Sequence, residues 1–380
     1  MATPPLPATH RALVLDTIGQ PLRLGIRDTP QATPGSAVVK ILVAGVLSYS
    51  RDIYNGARRY ALPTPSVPGN GAIGRVAAVG ADATKLKPGD LVIVDVYIRG
   101  RDDRTVAALS GINDGHSQAS KKMMSGEWRD STYAEYAKLP LENCFALDEG
   151  RLLGSPRDGG LGYTVNDLLS VATLLVAFGG LQAIGLDMCE NIIISPATGA
   201  FGSAAVRIAV AIGANVIAMG RNIEKLKELQ QKFSSATRKD SIQIVQITNN
   251  LEQEIESLAK FGPADVFFDV SPPMAAGSTH VKSGALSLKH SGRICLMGGS
   301  IGDLPIPAAA VVRKNLTIKG KWMYEREDVL KLIRMVESGV LQLGEKVSHD
   351  TSKTFPLEQW KEAFDAAAEV GPGQSVSITL

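Results

Sequence analysis

Asn191-Ile-Ile-Ile-Ser-Pro-Ala-Thr-Gly-Ala-Phe-Gly-Ser-Ala-Ala-Val-Arg-Ile-Ala-Val-Ala-Ile-Gly-Ala-Asn-Val-Ile-Ala-Met-Gly-Arg-Asn222 decides how this chain folds. Residues 192–194 are a β-branched run, suited to a strand buried on both faces. Residues 195–202 are small and turn-forming. Residues 203–212 place Ala, Val and Ile at helical spacing, and Gly213 stands where a helix end favours positive φ. A second apolar run, 216–219, follows. The order strand, turn, helix, strand is a βαβ unit. Its turn offers unpaired backbone N–H groups and the positive end of a helix dipole to a pyrophosphate.

The glycine pattern of such turns, G-x-G-x-x-G, becomes Ala197-Thr198-Gly199-Ala200-Phe201-Gly202. The first glycine is lost. The second and third remain, for close backbone approach and for helix–strand packing. Thr198, Gly199, Ala200, Phe201 and Gly202 are therefore expected to hold the phosphates. A plain βαβ turn without a ligand is the simpler alternative. An NAD site needs Asp or Glu about 20 residues on, to bond the ribose 2′-hydroxyl. Here Gly220, Arg221 and Asn222 stand there, with Lys225 one turn further. No carboxylate repels a 2′-phosphate and two cations can pair with it, so NADPH is the expected cofactor.

The length of 380 residues allows two domains with separate cores. A 44% apolar and 21% charged composition is ordinary for a globular enzyme, and a net charge of +2 makes no field for nucleic acid. Cys144, Cys189 and Cys295 lack C-x-x-C spacing and are expected as buried free thiols of a cytoplasmic protein. The uncharged run 168–186 nearly reaches membrane-spanning length, but its polar residues and Gly179-Gly180 suggest a buried hairpin or a broken helix rather than a span.

Upstream, residues 11–26 alternate like a hairpin, and short strands broken by Gly and Pro continue to about residue 93. Residues 97–131 form a polar insert, expected as a surface lobe. Beyond 222, apolar runs at 242–247 and 266–270, the strand 293–299 and a closing strand at 316–322 complete an α/β pattern. Ser271, Met297, Gly298 and Gly299 lie at strand ends on the edge of the sheet where ligands bind, and are expected to touch the cofactor. Pro68-Gly69-Asn70-Gly71, Val79-Gly80, Lys87-Pro88-Gly89-Asp90 and Tyr133-Ala134-Glu135-Tyr136 occur in the order seen in the medium-chain dehydrogenase/reductase superfamily, which the chain resembles over nearly its whole length. The resemblance implies an α/β fold: an N-terminal chaperonin-10-like, β-rich catalytic domain (1–155 and 325–380) and a Rossmann, doubly wound parallel-sheet domain (156–324). It also implies a homodimer through the nucleotide domains, or a monomer.

Zinc-bearing members of that superfamily carry Cys before Asp52, a His-Glu pair after Pro68-Gly69, and Cys or Asp near the start of the nucleotide domain. Here these places hold Tyr49, Asn70 with Gly71, and Ala172 with Thr173. Tyr and Ala are not useful zinc ligands and neutral Asn is poor, so no metal is expected. His10, His116, His280, His290 and His349 are scattered and are expected as surface or satisfied core groups. The chain looks like the zinc-free branch that includes quinone oxidoreductases and enoyl reductases, which implies hydride addition to a conjugated carbonyl compound or quinone. A hydrogen-bond donor can then stabilise the enolate. Tyr49 is the first candidate, Tyr54 and Asn70 follow, and Ser48 and Arg51 share the region. Asp52 is expected as a capping residue. The alternatives are an NADPH-dependent ketone, aldehyde or imine reductase, and a protein that binds NADPH without turnover. The partner expected is a small-molecule substrate, not nucleic acid or membrane.

Overall fold

The computed structural model describes residues 5–234, 240–275, 277–299, 302–344 and 351–380. His349 lies outside them. The run 192–194 becomes the strand Asn191–Ser195, paired in parallel on both sides. It sits inside a six-stranded sheet ordered Ile242–Gln246, Asn215–Gly220, Asn191–Ser195, Ala264–Asp269, Leu288–Leu296, Thr317–Gly320. Every adjacent pair is parallel. Such a sheet needs cover on both faces, which accounts for the continuous apolar runs. Strand order reverses between Asn191–Ser195 and Ala264–Asp269, where Ser195 pairs with Asp269. The connections leave in opposite directions at that point and open a crevice.

The β-rich half is a seven-stranded sheet built around Ser36–Val46. That strand pairs with Ala72–Val79 on one edge, and with Tyr136–Pro140 and the last strand, Gln374–Thr379, on the other. The chain end thus returns to the first sheet, with Val376 opposite Val46. The expected N-terminal hairpin forms from Thr9–Val14 and Arg23–Asp28.

Between the sheets runs one unbroken helix, Val165–Ile184, started by a Thr164–Asp167 capping box. This corrects the expectation of a hairpin or broken helix. Gly179 and Gly180 do not end the helix; they let it touch its neighbours. A Cβ on Gly179 would lie 2.5 Å from the Met323 carbonyl oxygen, and one on Gly180 would lie 2.6 Å from the Phe268 ring. The helix joins one apolar cluster that includes Ile73 and Ile93 of the first sheet and Ile194 and Phe268 of the second. It is the one helix among the described residues long and apolar enough to cross a membrane, and most of it is buried within the protein.

Two further expectations are corrected. The closing strand is only Thr317–Gly320 and is exposed, because it forms the sheet edge. Cys189 is exposed, since it lies in a surface turn at φ 65°, whereas Cys144 and Cys295 are buried. Burial pushes both of those thiols up to about 12.

Candidate active site

A cavity of about 1230 Å³ lies at the crevice and is walled by both sheets. On the nucleotide side its wall includes Thr198, Gly199, Ala200, Phe201 and Gly202. Gly199 is the N-cap of the helix Ala200–Ile212, and no side chain caps that end. The first-turn N–H groups are thus available to an anion. A Cβ on Gly199 would meet nothing within 4 Å, so the turn is open there. A Cβ on Gly202 would lie 2.0 Å from the Pro196 carbonyl oxygen, so this glycine is required by packing.

Arg221, Asn222 and Lys225 also line the cavity. Among the described residues no carboxylate pairs with Arg221 or Lys225; Glu224 pairs with Lys227 instead, at 2.9 Å. Asn222 caps the helix Ile223–Phe233, its side-chain oxygen accepting from the Lys225 N–H at 3.0 Å. Gly220 is corrected as a contact residue. It is buried beneath the wall, where a Cβ would lie 3.3 Å from Leu226 and 3.4 Å from Thr198.

Ser271, Met297, Gly298 and Gly299 all reach the cavity from the strand ends. Ser271 is not free. Its hydroxyl donates to Asp269 Oδ1 and lies 2.6 Å from His280 Nε2. His280 Nε2 is also 3.0 Å from Asp269 Oδ1, and its Nδ1 is 2.8 Å from Ser278 Oγ. His280 is a satisfied core group, as expected, yet it also lines the cavity. A Cβ on Gly298 would lie 2.5 Å from Asp269 Oδ2, which explains a glycine there.

On the substrate side Tyr49, Asn70, Ser48 and Thr173 line the same cavity. Tyr49 stands at the N-cap of the short helix Ser50–Tyr54. Burial pushes its phenol up to about 12, with Tyr60 acting in the same direction and the Arg58 guanidinium opposing. A phenol is protonated at neutral pH with or without that shift. Thr132 Oγ1 fixes the Asn70 backbone, accepting from its N–H at 2.9 Å and donating to its carbonyl.

Tyr54 is corrected. Its ring sits in the core of the β-rich half and its hydroxyl donates to the Gly111 carbonyl at 2.9 Å, away from the cavity. Burial holds its phenol well above the usual range. Arg51 is corrected as well: it pairs with Asp365 at 3.0 Å and does not reach the cavity. Asp52 makes no cap hydrogen bond and lies 3.9 Å from Arg51.

Sequence reading missed Asp95 and Tyr324, which also line the cavity, as does Arg58 of the loop that follows Tyr54. The Tyr324 hydroxyl donates to Asp95 Oδ1 at 2.7 Å, and the Tyr97 N–H to the same oxygen at 2.8 Å. Burial pushes the Asp95 carboxyl up to about 6, against the pull of these bonds. Nothing in the local sequence joins positions so far apart. In the polar lobe, Arg99 and Arg101 pair with Glu325 at 3.0 Å and Glu142 at 2.6 Å, while Leu109 and Ile112 face the cavity.

A parallel sheet with an uncapped glycine turn at its switch point, joined to a β-rich sheet across one cleft, is the layout in which open α/β folds bind a dinucleotide. Residues 33–149 match the family described as the alcohol dehydrogenase GroES-like domain, and residues 200–338 match the family described as zinc-binding dehydrogenase. The chain belongs to the medium-chain dehydrogenase/reductase superfamily. It is 23% identical over 345 residues to an L-threonine 3-dehydrogenase of Vibrio parahaemolyticus, covering 89% of this chain and 90% of the relative. Among solved structures, an E. coli CFT073 alcohol dehydrogenase complexed with NADH superposes with a TM-score of 0.77 at 17% identity, covering 98% of this chain and all (100%) of that one. A crotonyl-CoA carboxylase/reductase superposes with a TM-score of 0.74 at 16% identity, covering 99% of this chain and 89% of that one.

The second family description implies zinc, and the donor set here does not fit it. At the places where zinc-bearing relatives carry ligands the cleft holds a protonated phenol, an amide and a hydroxyl: Tyr49, Asn70 and Thr173. Among the described residues no three His, Cys, Asp or Glu side chains come together as a metal site.

Proposed function

We propose that the protein is an NADPH-dependent reductase that works without zinc and acts on a conjugated carbonyl compound or a quinone. One observation carries this reading: the Tyr49 phenol, a neutral hydrogen-bond donor, lines the cleft that continues to the uncapped glycine turn. NADPH, when bound, supplies hydride to an electrophilic carbon. The turn 198–202 holds the pyrophosphate, Arg221 and Lys225 hold the 2′-phosphate, and the backbone at Ser271 and 297–299 orients the nicotinamide end. Tyr49 donates a hydrogen bond to the substrate oxygen as the electron pair arrives there. A neutral phenol is a weak proton source at neutral pH but can still donate a hydrogen bond to an enolate. Solvent at the cleft mouth can deliver the final proton.

The test is NADPH oxidation with a panel of enones and quinones, with product analysis for the saturated carbonyl. Tyr49→Phe should lower kcat by roughly 10²- to 10³-fold, as for loss of one oxyanion donor. Full activity in that variant removes Tyr49 from the mechanism. A second reading, reduction of a ketone or aldehyde to an alcohol, is favoured by the names of the L-threonine 3-dehydrogenase relatives. An alcohol product in place of a saturated carbonyl selects it.

A further inference from the structure

Arg58 stands out among the charged groups of the cleft. Its guanidinium lies over the Tyr49 ring, 3.8 Å from the centroid, and 5.0 Å from the Tyr60 centroid. Two aromatic faces thus hold its plane, which leaves its N–H edge as the part that can bind. Nε is buried and has no hydrogen-bond partner. Among the described residues no carboxylate lies within ion-pair distance of it, whereas Arg51, Arg99 and Arg101 each have one.

Asp95, the acidic side chain among those lining the cavity, is occupied by Tyr324 and Tyr97. Leu47, Leu109 and Ile112 supply an apolar wall in the same cavity, where an ionic contact is strengthened by the low local dielectric. A ligand cannot reach Nε, but the terminal N–H groups, which have no side-chain or backbone partner among the described residues, remain for one. A planar, pre-oriented guanidinium matches a carboxylate in two-point contact.

We infer that Arg58 is the anchor for a carboxylate on the substrate, so that the enzyme acts on oxo- or enoyl-carboxylic acids rather than neutral carbonyl compounds. This deepens the reductase reading and rests on it. Arg58 stacks on the ring whose hydroxyl meets the reacting oxygen, so the carboxylate and the carbonyl are separated by only a few bonds. A short oxo-acid has that shape.

The test separates binding from turnover. The saturated probes 2-oxopentanoate and 4-oxopentanoate, each beside its methyl ester, are titrated calorimetrically into the protein loaded with NADP+. Turnover is measured with 4-oxopent-2-enoate and its methyl ester. At least one acid should bind about 10- to 100-fold more tightly than its ester, the range of a charge-assisted hydrogen bond. Arg58→Gln should bring the acid-to-ester ratio close to one, while Arg58→Lys should retain part of it. Thermal melts and NADPH titration check that each variant is folded. Equal binding of acids and esters, no binding by either acid, or an unchanged ratio in Arg58→Gln overturns the inference. So does a loss of NADPH affinity as large as the loss for the acid, which would assign the guanidinium to the cofactor. A carboxylate preference lost in Arg58→Gln, with no NADPH oxidised by either unsaturated probe, supports the anchor and removes the reductase reading. Equal turnover of acid and ester does the reverse.

Discussion

On the proposed reading, replacing Arg221 by Ala should weaken the preference for NADPH over NADH to what Lys225 alone supplies. Arg221 follows the strand Asn215–Gly220 and lines the nucleotide end of the cleft. Its backbone is held by Gln246, whose side-chain N–H donates to the Arg221 carbonyl at 2.9 Å. Its side chain is exposed and meets no carboxylate among the described residues, so nothing competes for a phosphate. A hydrogen bond to a charged group contributes about 1.5–3 kcal/mol, and solvent exposure places a two-point contact here near 2–3 kcal/mol. NADPH affinity should therefore fall by roughly 30- to 150-fold at low salt. NADH affinity should change little, because the side chain has no 2′-phosphate to meet. Fluorescence titration with both cofactors measures the ratio, and raising the salt concentration should narrow it in the wild type. Two results would refute the reasoning: tighter binding of NADH by the wild type, or an unchanged ratio in Arg221→Ala.

Asp95 makes a pH-dependent prediction. Its carboxyl is shifted from 3.8 to about 6 in the folded chain, so between these values the folded state holds a proton that the unfolded state has released. Its contribution thus lowers stability as pH rises through that window, by about 3 kcal/mol at most. Asp95→Asn keeps an oxygen for the Tyr324 and Tyr97 donors, so the variant should gain thermal stability over the wild type between about pH 4 and pH 7. A constant difference across that range argues against the shift. Gly179→Ala should destabilise the protein by about 1–3 kcal/mol, because the new methyl meets the Met323 backbone that cannot yield, and a denaturant midpoint will report it. Dialysis against a chelator should leave NADPH turnover intact; loss of activity restored by added zinc would contradict the reading of the cleft.

The nucleotide half of the fold was legible because its information is local. The run 192–194, the glycines 199 and 202 and the helix ending at Gly213 each act within one βαβ unit, where periodicity and turn chemistry dominate. Arg221 and Lys225 could be placed for the same reason, since a short strand fixes where its end must lie. The substrate side was not legible in this way. Tyr49 and Tyr54 are both tyrosines of one short segment, yet only the packing of that helix against the core sends one ring to the cleft and the other to the Gly111 carbonyl. The Gly179-Gly180 pair suggested a break until close contacts with Met323 and Phe268 gave the glycines another purpose. Arg58 is a near neighbour of Tyr49 and Tyr60 in the chain, yet only the folded loop stacks it on their rings, and Asp95 joins Tyr324 only after the chain has returned upon itself. Periodicity and turn chemistry depend on neighbours in the chain and are set by sequence alone. Which charge is left unpaired, and which phenol is buried beside it, depends on neighbours in space, and only the tertiary structure decides that.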